Sequence, residues 1–306
     1  MQELHFLITE ECENERLDKA LSELTDDTVS RSYLQKLIKE NQVYVNGKAQ
    51  KASYKLKTDD YVSFVIPDQT QPDILPEKMD LDILYEDAYV IVVNKPKDMV
   101  VHPAAGHFEH TLVNGLMYHC KDSLSGINGV LRPGIVHRID KDTTGSIIAC
   151  KNDMAHKEIA AQLKEHSITR RYRAVCVGVL KEDEGCINAP IGRDEKDRKK
   201  MSVNYKNGKD AVTHYRVLER FKGYTYIECE LETGRTHQIR VHMASIGHPL
   251  LGDEVYSTGK NPFKLSGQTL HAYILGFKHP DSGQYIETLA PLPEYFVALL
   301  DKLRKI

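Results

Sequence analysis

Asp140 lies in the segment RPGIVHRIDKDTTG, residues 132–145, directly after an apolar stretch and an arginine. Burying a carboxylate in apolar surroundings is costly unless it is paired with a cation or used in chemistry. The residues after Asp140 are turn formers, so Asp140 could also be a turn or helix-capping residue, as could Asp142. Asp140 is therefore a candidate catalytic carboxylate, and other segments must decide between these interpretations.

A second segment, ETGRTHQIRVHMASIGHPLLGD at residues 232–253, supplies two arginines and three histidines around an apolar run. Arg240 lies between Ile239 and Val241, which predicts a partly buried cation that needs a carboxylate partner. Asp140 is the obvious candidate for this partner, although spacing alone cannot establish a pairing between such distant positions.

The histidines and cysteines do not predict a metal site. His237 and His242 are five residues apart, whereas the two histidines of a helical HExxH motif lie four apart on one face. The six cysteines are scattered without a CxxC pair, which argues against structural zinc. No GxGxxG or GxxxxGK[ST] motif supports a nucleotide cofactor. We therefore predict neither a metal nor a cofactor.

Tyr172 is a further candidate, in the segment TRRYRAVCVG. The alternating residues of this predicted strand are mixed in character, so Tyr172 is either a core residue or a functional one. A functional tyrosine at this position would stack on a flat ring such as a nucleobase.

These candidates lie on short strands separated by helical stretches that do not alternate strictly. This pattern predicts an α+β fold, with a mixed, largely antiparallel sheet flanked by helices, over residues 81–306. Residues 14–67 predict a separate small α/β module: two amphipathic helices, in RLDKALSEL and TVSRSYLQKLIKE, and strands around an Asn-Gly turn in VYVNGK. Residues 68–80, with two prolines among acids, predict a linker.

Charge is segregated along the chain. The 306 residues sum to a net charge of -3, yet residues 31–57 hold seven Lys/Arg against one acid. Such a patch predicts phosphate binding, and the alternative is a solvated face. No apolar run approaches the ~18 residues of a membrane span. The acidic opening lacks a signal-like core, so we expect a cytoplasmic protein.

Five segments together resemble the large-subunit ribosomal RNA pseudouridine synthase family, in its uridine-isomerising branch. They are NKPKDMVVHPAAGH, RPGIVHRIDKDTTG, TRRYRAVCVG, TGRTHQIRVHMASIGHPLLGD and LHAYILGFKHP, in the family's order. The module at 14–67 resembles the RNA-binding domain named after ribosomal small-subunit protein four (S4-type). The resemblance covers nearly the whole chain.

The resemblance implies a role for each matching residue. Asp140 matches the catalytic aspartate, and Arg138 matches the arginine that fills the space left by the flipped uridine. Tyr172 matches the aromatic residue that lies against the target base. Arg240 matches the basic partner of the carboxylate, and Ile239 the neighbouring apolar wall.

His137 and Arg235 match motif positions whose individual roles the resemblance does not define. Two positions depart from the family pattern. Ile139 replaces the usual Leu, a swap of equal volume that we expect to be tolerated. Asp98 replaces a common Gly, which leaves the turn after Lys95 less certain.

The implied partner is RNA, most directly ribosomal RNA or a pre-ribosomal particle. We expect the protein to be a monomer and to have no membrane partner. We expect the S4-type module to grip phosphates and RNA shape rather than base sequence. Its predicted RNA-binding cations are Arg16, Arg31, Lys36, Lys39 and Lys55.

The implied reaction breaks the bond between the sugar's anomeric carbon and the base nitrogen, rotates the base and rejoins it through carbon. Asp140 would either attack the anomeric carbon or remove the neighbouring sugar proton to give a glycal, and the sequence leaves both open. Two rival functions remain. A glycoside hydrolase would need a second acid, and a non-catalytic assembly factor would not need the Asp140 and Arg240 segments.

Overall fold

The chain divides into two units, Met1–Gln71 and Pro72–Ile306, in a computed structural model. The structure describes residues 2–25, 31–66, 74–103, 107–127, 129, 132–197, 200–259 and 261–306. No helix within these ranges is long and apolar enough to cross a membrane.

The first unit combines two helices with a four-stranded antiparallel sheet in the order β1-β4-β2-β3. Its elements are β1 (Gln2–Leu7), α1 (Leu17–Leu24), α2 (Arg31–Lys39), β2 (Val43–Val45), β3 (Lys48–Ala49) and β4 (Tyr61–Ile66). β1 pairs with β4 along its whole length. The unit therefore begins before residue 14, where the sequence pattern placed its start.

The core of the first unit follows the predicted helical spacing. Both helices bury the apolar faces read from the sequence, and the buried members are Leu17, Ala20, Leu21, Leu34, Leu37 and Ile38. The predicted Asn-Gly turn is also confirmed, because Asn46 and Gly47 both have positive φ angles, of 49° and 75°. Such a pair gives the tight turn that joins β2 to β3.

The second unit is built on a nine-stranded mixed sheet, which confirms the predicted α+β fold class. Its elements are β5 (Ile83–Glu86), β6 (Val90–Lys95), α3 (Leu112–Cys120), β7 (Thr144–Cys150), α4 (Asp153–Lys164), β8 (Thr169–Val177), β9 (Glu184–Asn188), β10 (Ile191–Arg193), β11 (Met201–Val203), β12 (Val212–Phe221), β13 (Tyr224–Leu231), α5 (Gln238–Ser245), β14 (Leu270–Lys278), β15 (Tyr285–Leu289) and α6 (Glu294–Leu303). The sheet order is β5-β6-β7-β14-β8-β13-β12-β9, with β15 beside β14, and β10 pairs with β11 separately.

The predicted linker at 68–80 falls partly outside the described residues, which resume at Ile74. Ile74 is buried and belongs to the core of the second unit. The backbone N–H of Glu77 donates to the carbonyl of Asn114 on α3. Residues just before 81 are thus part of the second unit, because an apolar side chain and a backbone hydrogen bond hold them to it.

A parallel strand pair lies in the middle of the larger sheet. β7 and β14 align Thr144 with His271 and Gly145 with Ala272. Gly145 has a φ of 106°, and a Cβ at this position would clash with the carbonyl of Ala272, so a side chain is excluded there. The Thr144 hydroxyl donates to His271 Nδ1 over 2.8 Å. This pairing fixes the strand that begins four residues after Asp140.

Candidate active site

Asp140 lies in the segment between an isolated bridge at Ile135 and the start of β7. Its carbonyl accepts from the N–H of Thr143, which closes the turn that the turn formers predict. Its carboxylate is largely buried, with 18% of the side chain exposed. A turn thus positions Asp140, but the carboxylate itself is directed to a cation rather than used as a cap.

Lys95 holds the backbone beside Asp140. Its side chain is fully buried, and Nζ donates to the carbonyls of Pro96, Met99 and Lys141 over 2.8, 2.8 and 2.9 Å. Burial lowers the pKa of Lys95 to about 7. The three acceptors match the three donors of an ammonium group. The sequence pattern did not predict this role, although a lysine at the end of an apolar strand was a usable signal.

The turn after Lys95 accommodates Asp98 at the position where glycine is common in the family. Its φ is 66°, in the left-handed region where glycine is favoured and aspartate is tolerated better than most residues. Its carboxylate also pairs with Lys141 Nζ at 2.8 Å. The substitution keeps the turn and adds an ion pair next to Asp140.

Arg240, on α5, joins two carboxylates. Nη1 donates to Asp140 Oδ2 over 2.9 Å, which confirms the predicted pairing. Nε and Nη2 donate to the two carboxylate oxygens of Asp253 over 2.7 and 3.0 Å. Burial lowers the pKa of Arg240, but its hydrogen bonds and the charges of both acids outweigh burial and raise it. The guanidinium is therefore permanently charged and fixed in orientation.

Asp253 is a residue that the sequence analysis missed, although it closes the segment that contains Arg240. Its side chain is fully buried, and the N–H groups of Val255 and Tyr256 donate to Oδ1. Burial raises the pKa of Asp253, but the hydrogen bonds and charge of Arg240 outweigh burial and lower it. Asp253 thus holds Arg240 in place from the side away from Asp140.

His237 completes the surroundings of the carboxylate. Its Nε2 lies 3.7 Å from Asp140 Oδ1, and its Nδ1 is hydrogen-bonded to the Tyr256 hydroxyl at 2.8 Å. Burial lowers the pKa of His237. His242, by contrast, is fully buried and bonded to Thr213 and to the Ala189 carbonyl. The two histidines therefore face different surroundings.

All five predicted active-site residues line one cavity. They are Arg138, Asp140, Tyr172, Ile239 and Arg240, and Arg235 and His237 join them. Tyr172 lies on β8 opposite Ala272 of β14, which also pairs with Gly145 of β7. β14 therefore lies between the strand that carries Tyr172 and the strand that follows Asp140. Burial raises the pKa of Tyr172, so its phenol is neutral near pH 7.

His137, a motif position without an assigned role, supports β7. Its Nε2 accepts from the backbone N–H of Ile148 over 3.1 Å. Burial, with the positive charge of Arg170, lowers the pKa of His137 to about 3. The ring is therefore neutral and has a structural role. Its neighbour Arg138, by contrast, lines the cavity.

Comparison with known proteins identifies this arrangement. Residues 89–245 match the family model described as RNA pseudouridylate synthase, which spans half of the chain. The chain belongs to the RNA pseudouridylate synthase family. It is an isomerase that acts on RNA, as the sequence segments predicted.

Relatives extend this result to the full length. An uncharacterized RNA pseudouridine synthase of Bacillus subtilis is 54% identical over 305 residues, covering 100% of this chain and 99% of the relative. The ribosomal large subunit pseudouridine synthase D of Zymomonas mobilis is 46% identical, covering 94% of this chain and 93% of the relative. A solved structure, human RNA pseudouridylate synthase domain containing 1, matches with a TM-score of 0.58 and 25% identity, covering 74% of this chain and 96% of that one.

The first unit of this pseudouridine synthase contains an S4 domain, matched at residues 15–62. Two of its predicted RNA-binding cations pair with a buried acid. Arg16 and Arg31 both donate to Asp18 at 2.9 Å, and Gln35 adds a third side-chain donor at 2.6 Å. The Asp18 side chain is fully buried, whereas the two arginines are almost half exposed. They can stabilise the fold and still present N–H groups to a ligand.

The other predicted cations of the S4 domain lie on its surface. Lys36 and Lys39 are exposed along α2, and Lys36 Nζ lies 3.9 Å from the carboxylate of Glu40. Lys55 is exposed and donates to the Asn14 carbonyl over 2.8 Å. These three positions are open to phosphates, and RNA binding by them remains a prediction.

An Asp18→Asn substitution is expected to destabilise the S4 domain by about 3 kcal/mol at neutral pH, because it leaves two arginines around a neutral amide. Burial raises the pKa of Asp18, but the hydrogen bonds from Arg16, Gln35 and Arg31 outweigh burial and lower it well below its usual range. A depressed carboxyl pKa stabilises the fold above the unfolded pKa of about 3.9. The difference from wild type should therefore be constant from pH 5 to 8, in the range where both states are ionised.

Below about pH 4 the unfolded carboxylate binds a proton first, so the advantage of wild type should shrink as the pH falls toward the folded pKa. Urea denaturation of the full chain, read from deuterium uptake by peptides that cover α1, measures both effects. Asp59→Asn is the matched control, since Asp59 is exposed and already has a left-handed φ of 67° that asparagine accepts. Equal losses for the two variants would refute the role of Asp18.

Proposed function

We propose that this protein isomerises specific uridines of large-subunit ribosomal RNA to pseudouridine, with Asp140 as the catalytic carboxylate. The observation that carries the proposal is the 2.9 Å pair between Asp140 and Arg240 in a cavity that Tyr172 and Ile239 also line. The ribosomal substrate is supported by relatives named ribosomal large subunit pseudouridine synthase D. An enzyme with such a substrate would act where ribosomes assemble, which supports a cytoplasmic location.

Asp140 would act at the sugar of the target uridine. It either attacks the anomeric carbon as the base nitrogen leaves, or it takes the neighbouring sugar proton to give a glycal. In both routes the base rotates and rejoins through C5, which loses its proton while N1 gains one. Arg240 supplies an opposite charge and a fixed hydrogen bond to the carboxylate, so Asp140 is held in one orientation. No atom is added or removed overall.

The target base must leave its stack to reach this cavity, at a cost of a few kcal/mol. Tyr172 and Ile239 offer apolar surface in this cavity against which a flat base can lie. Arg138 is exposed at the rim, with no carboxylate partner among the described residues, and is placed to fill the gap that the base leaves. These contacts offset part of the unstacking cost.

A glycoside hydrolase fits these residues less well. Hydrolysis at an anomeric carbon normally uses two carboxyl groups that flank the bond. Among the described residues that line the cavity, Asp140 is the sole acid. Asp253 is fully buried behind Arg240 and has both oxygens engaged. Isomerisation, which needs one carboxylate, is the better account.

Mapping pseudouridine in the RNA of cells with and without this protein tests the proposal. We expect one or a few sites in large-subunit ribosomal RNA to be lost without it and restored by the wild-type gene. Purified protein should then release tritium from C5-labelled uridine at those sites, without free uracil. Unchanged maps would refute the substrate, and stoichiometric uracil would indicate hydrolysis instead.

Removal of residues 1–71 is expected to weaken binding to structured RNA and to reduce its salt dependence. The removed unit holds the basic segment 31–57, whose cations release counterions when they contact phosphates. The catalytic unit 72–306 has its own core, so it should fold and retain chemistry on a bound uridine. Affinity measured against salt concentration for both chains gives the number of lost contacts from the change in slope.

The matched control replaces only Lys36 and Lys39 by Gln in the full chain. If these lysines contact phosphates, each should lower the slope by about 0.9 without affecting the fold. Identical slopes and affinities for all three proteins would mean that the segment is a solvated face. Loss of folding in the truncated chain would show up as altered circular dichroism, and the lysine variants then decide alone.

A further inference from the structure

Three arginines of β8 differ in their partners. Arg171 and Arg173 lie on one face of the strand and pair with Glu230 and Glu228 of β13, each at 3.0 Å. Arg170 lies on the other face, where the strand also carries the buried Tyr172. The strand thus keeps two arginines in ordinary cross-strand pairs and directs the third toward the active site.

Arg170 is a buried cation that has no counter-ion among the described residues. It is 7% exposed, and Nη2 donates to the backbone carbonyl of Glu232 over 3.1 Å. Its Nε has no hydrogen-bond partner, and none of the described carboxylates lies within ion-pair distance of it. Burial lowers the pKa of Arg170, yet an arginine stays protonated near neutral pH. An anion from outside the chain would relieve this cost.

The neighbouring loop makes room for this guanidinium and adds a second one. A Cβ on Gly234 would lie 2.5 Å from Arg170 Nη1, so the loop backbone packs directly against the arginine. Arg235 follows, and its Nε donates to the carbonyl of Asp210 over 2.9 Å. It also has no carboxylate partner within the described part of the chain. Arg170 and Arg235, which line the same cleft, thus both lack an acid partner among the described residues.

Both arginines line a cleft of about 470 Å³ that leads to the active site. Lys164 and Arg138 add positive charge to its walls, and the acid among the described lining residues is Asp140, already held by Arg240. The cleft shares Asp140 and Tyr172 with the catalytic cavity. A polynucleotide whose uridine enters the cavity must therefore place a neighbouring phosphate near this cleft.

We propose that Arg170 and Arg235 form a phosphate subsite that binds a phosphodiester adjacent to the target uridine. This inference rests on the proposed function, since it concerns the same RNA. The planar guanidinium matches two phosphate oxygens, and Nη1 of Arg170, which has no hydrogen-bond partner among the described residues, supplies a donor at the wall of the cleft. The subsite fixes the backbone beside the flipped nucleotide, so that the sugar faces Asp140.

The test combines an Arg170→Gln variant with RNA in which single phosphates are made neutral. A short synthetic hairpin that contains the target uridine is prepared with one methylphosphonate linkage at a time, on either side of that uridine. Wild type should lose about 10-fold or more in affinity at one linkage. Arg170→Gln should lose as much on unmodified RNA, and the same neutral linkage should then cost nothing further.

Arg171→Gln is the matched control, because it changes the next residue on the opposite face of the strand. It should bind every RNA like wild type. The salt slope of Arg170→Gln should fall by about 0.9, whereas that of the control should not change. The subsite would be refuted if Arg170→Gln and a neutral linkage lowered RNA affinity additively at both linkages that flank the target uridine. If that variant unfolds on heating well below wild type, Arg235→Gln with the same linkages decides.

Failure of the subsite and failure of the proposed function give different results. Tritium release from the unmodified hairpin by wild type tests isomerisation, whereas the coupling between variant and linkage is a binding measurement. Turnover with full additivity refutes the subsite alone. Coupling without turnover supports the subsite and refutes isomerisation of that RNA.

Discussion

An Asp140→Asn variant is expected to have no detectable uridine isomerisation while keeping most of its affinity for RNA. The amide has the shape of the carboxylate and can still accept the hydrogen bond from Arg240. It is neither a nucleophile nor a base, so both routes open to Asp140 are blocked, at a cost of about 10²–10⁴-fold or more. Tritium release and RNA affinity, measured on the same hairpin, separate the two effects.

Asp142→Asn provides the control for this experiment. Asp142 lies two residues further on in the same segment and is not among the residues that line the cavity. The control makes the same charge change, so its activity should stay within a few-fold of wild type. Residual activity of Asp140→Asn above a trace, or equal losses for the two variants, would contradict the catalytic assignment.

An Arg240→Met variant should lose both activity and stability. The substitution leaves Asp253 fully buried without its bidentate partner, and Asp140 without its counter-charge. Removing one partner of a buried ion pair costs about 3–5 kcal/mol, so the unfolding midpoint in urea should fall markedly. Turnover should drop with it, because Asp140 loses the hydrogen bond that orients its carboxylate.

Arg240→Lys distinguishes charge from geometry at the same position. Lysine keeps the positive charge but cannot bridge two carboxylates as a planar fork does. We expect it to recover part of the stability and little of the turnover. Normal turnover by Arg240→Met near neutral pH would show that Asp140 does not depend on this partner.

Two features of the site were accessible from sequence because each leaves a local signal. Arg240 lies between two β-branched residues, and this pattern predicts a buried cation that is paired with a carboxylate. Asp140 stands in a segment that resembles one family at many consecutive positions. The pairing of the two joins residues 100 positions apart. Residue type made Asp140 the obvious candidate, and the resemblance also implied the pair, whereas spacing alone could not establish it.

Other features depend on the fold and leave little trace in the sequence. Asp253 looks like an ordinary loop acid until α5 brings Arg240 onto it. Arg16 and Arg31 read as exposed RNA-binding cations, yet both hold the buried Asp18, because α1 and α2 meet at that point. Residue type predicted the charges correctly, whereas the pairing depended on how separate elements pack.

The parallel pair of β7 and β14 constrains the order in which the protein can mature. Its contact between Thr144 and His271 joins residues 127 apart, and contacts of such long range are slow to form because of their loop-closure entropy. During synthesis the S4 domain can fold first, since its contacts lie within the first 71 residues. Asp140 acquires its place only after β14 has been made. A nascent chain thus completes its S4 domain well before it completes the cavity that contains Asp140.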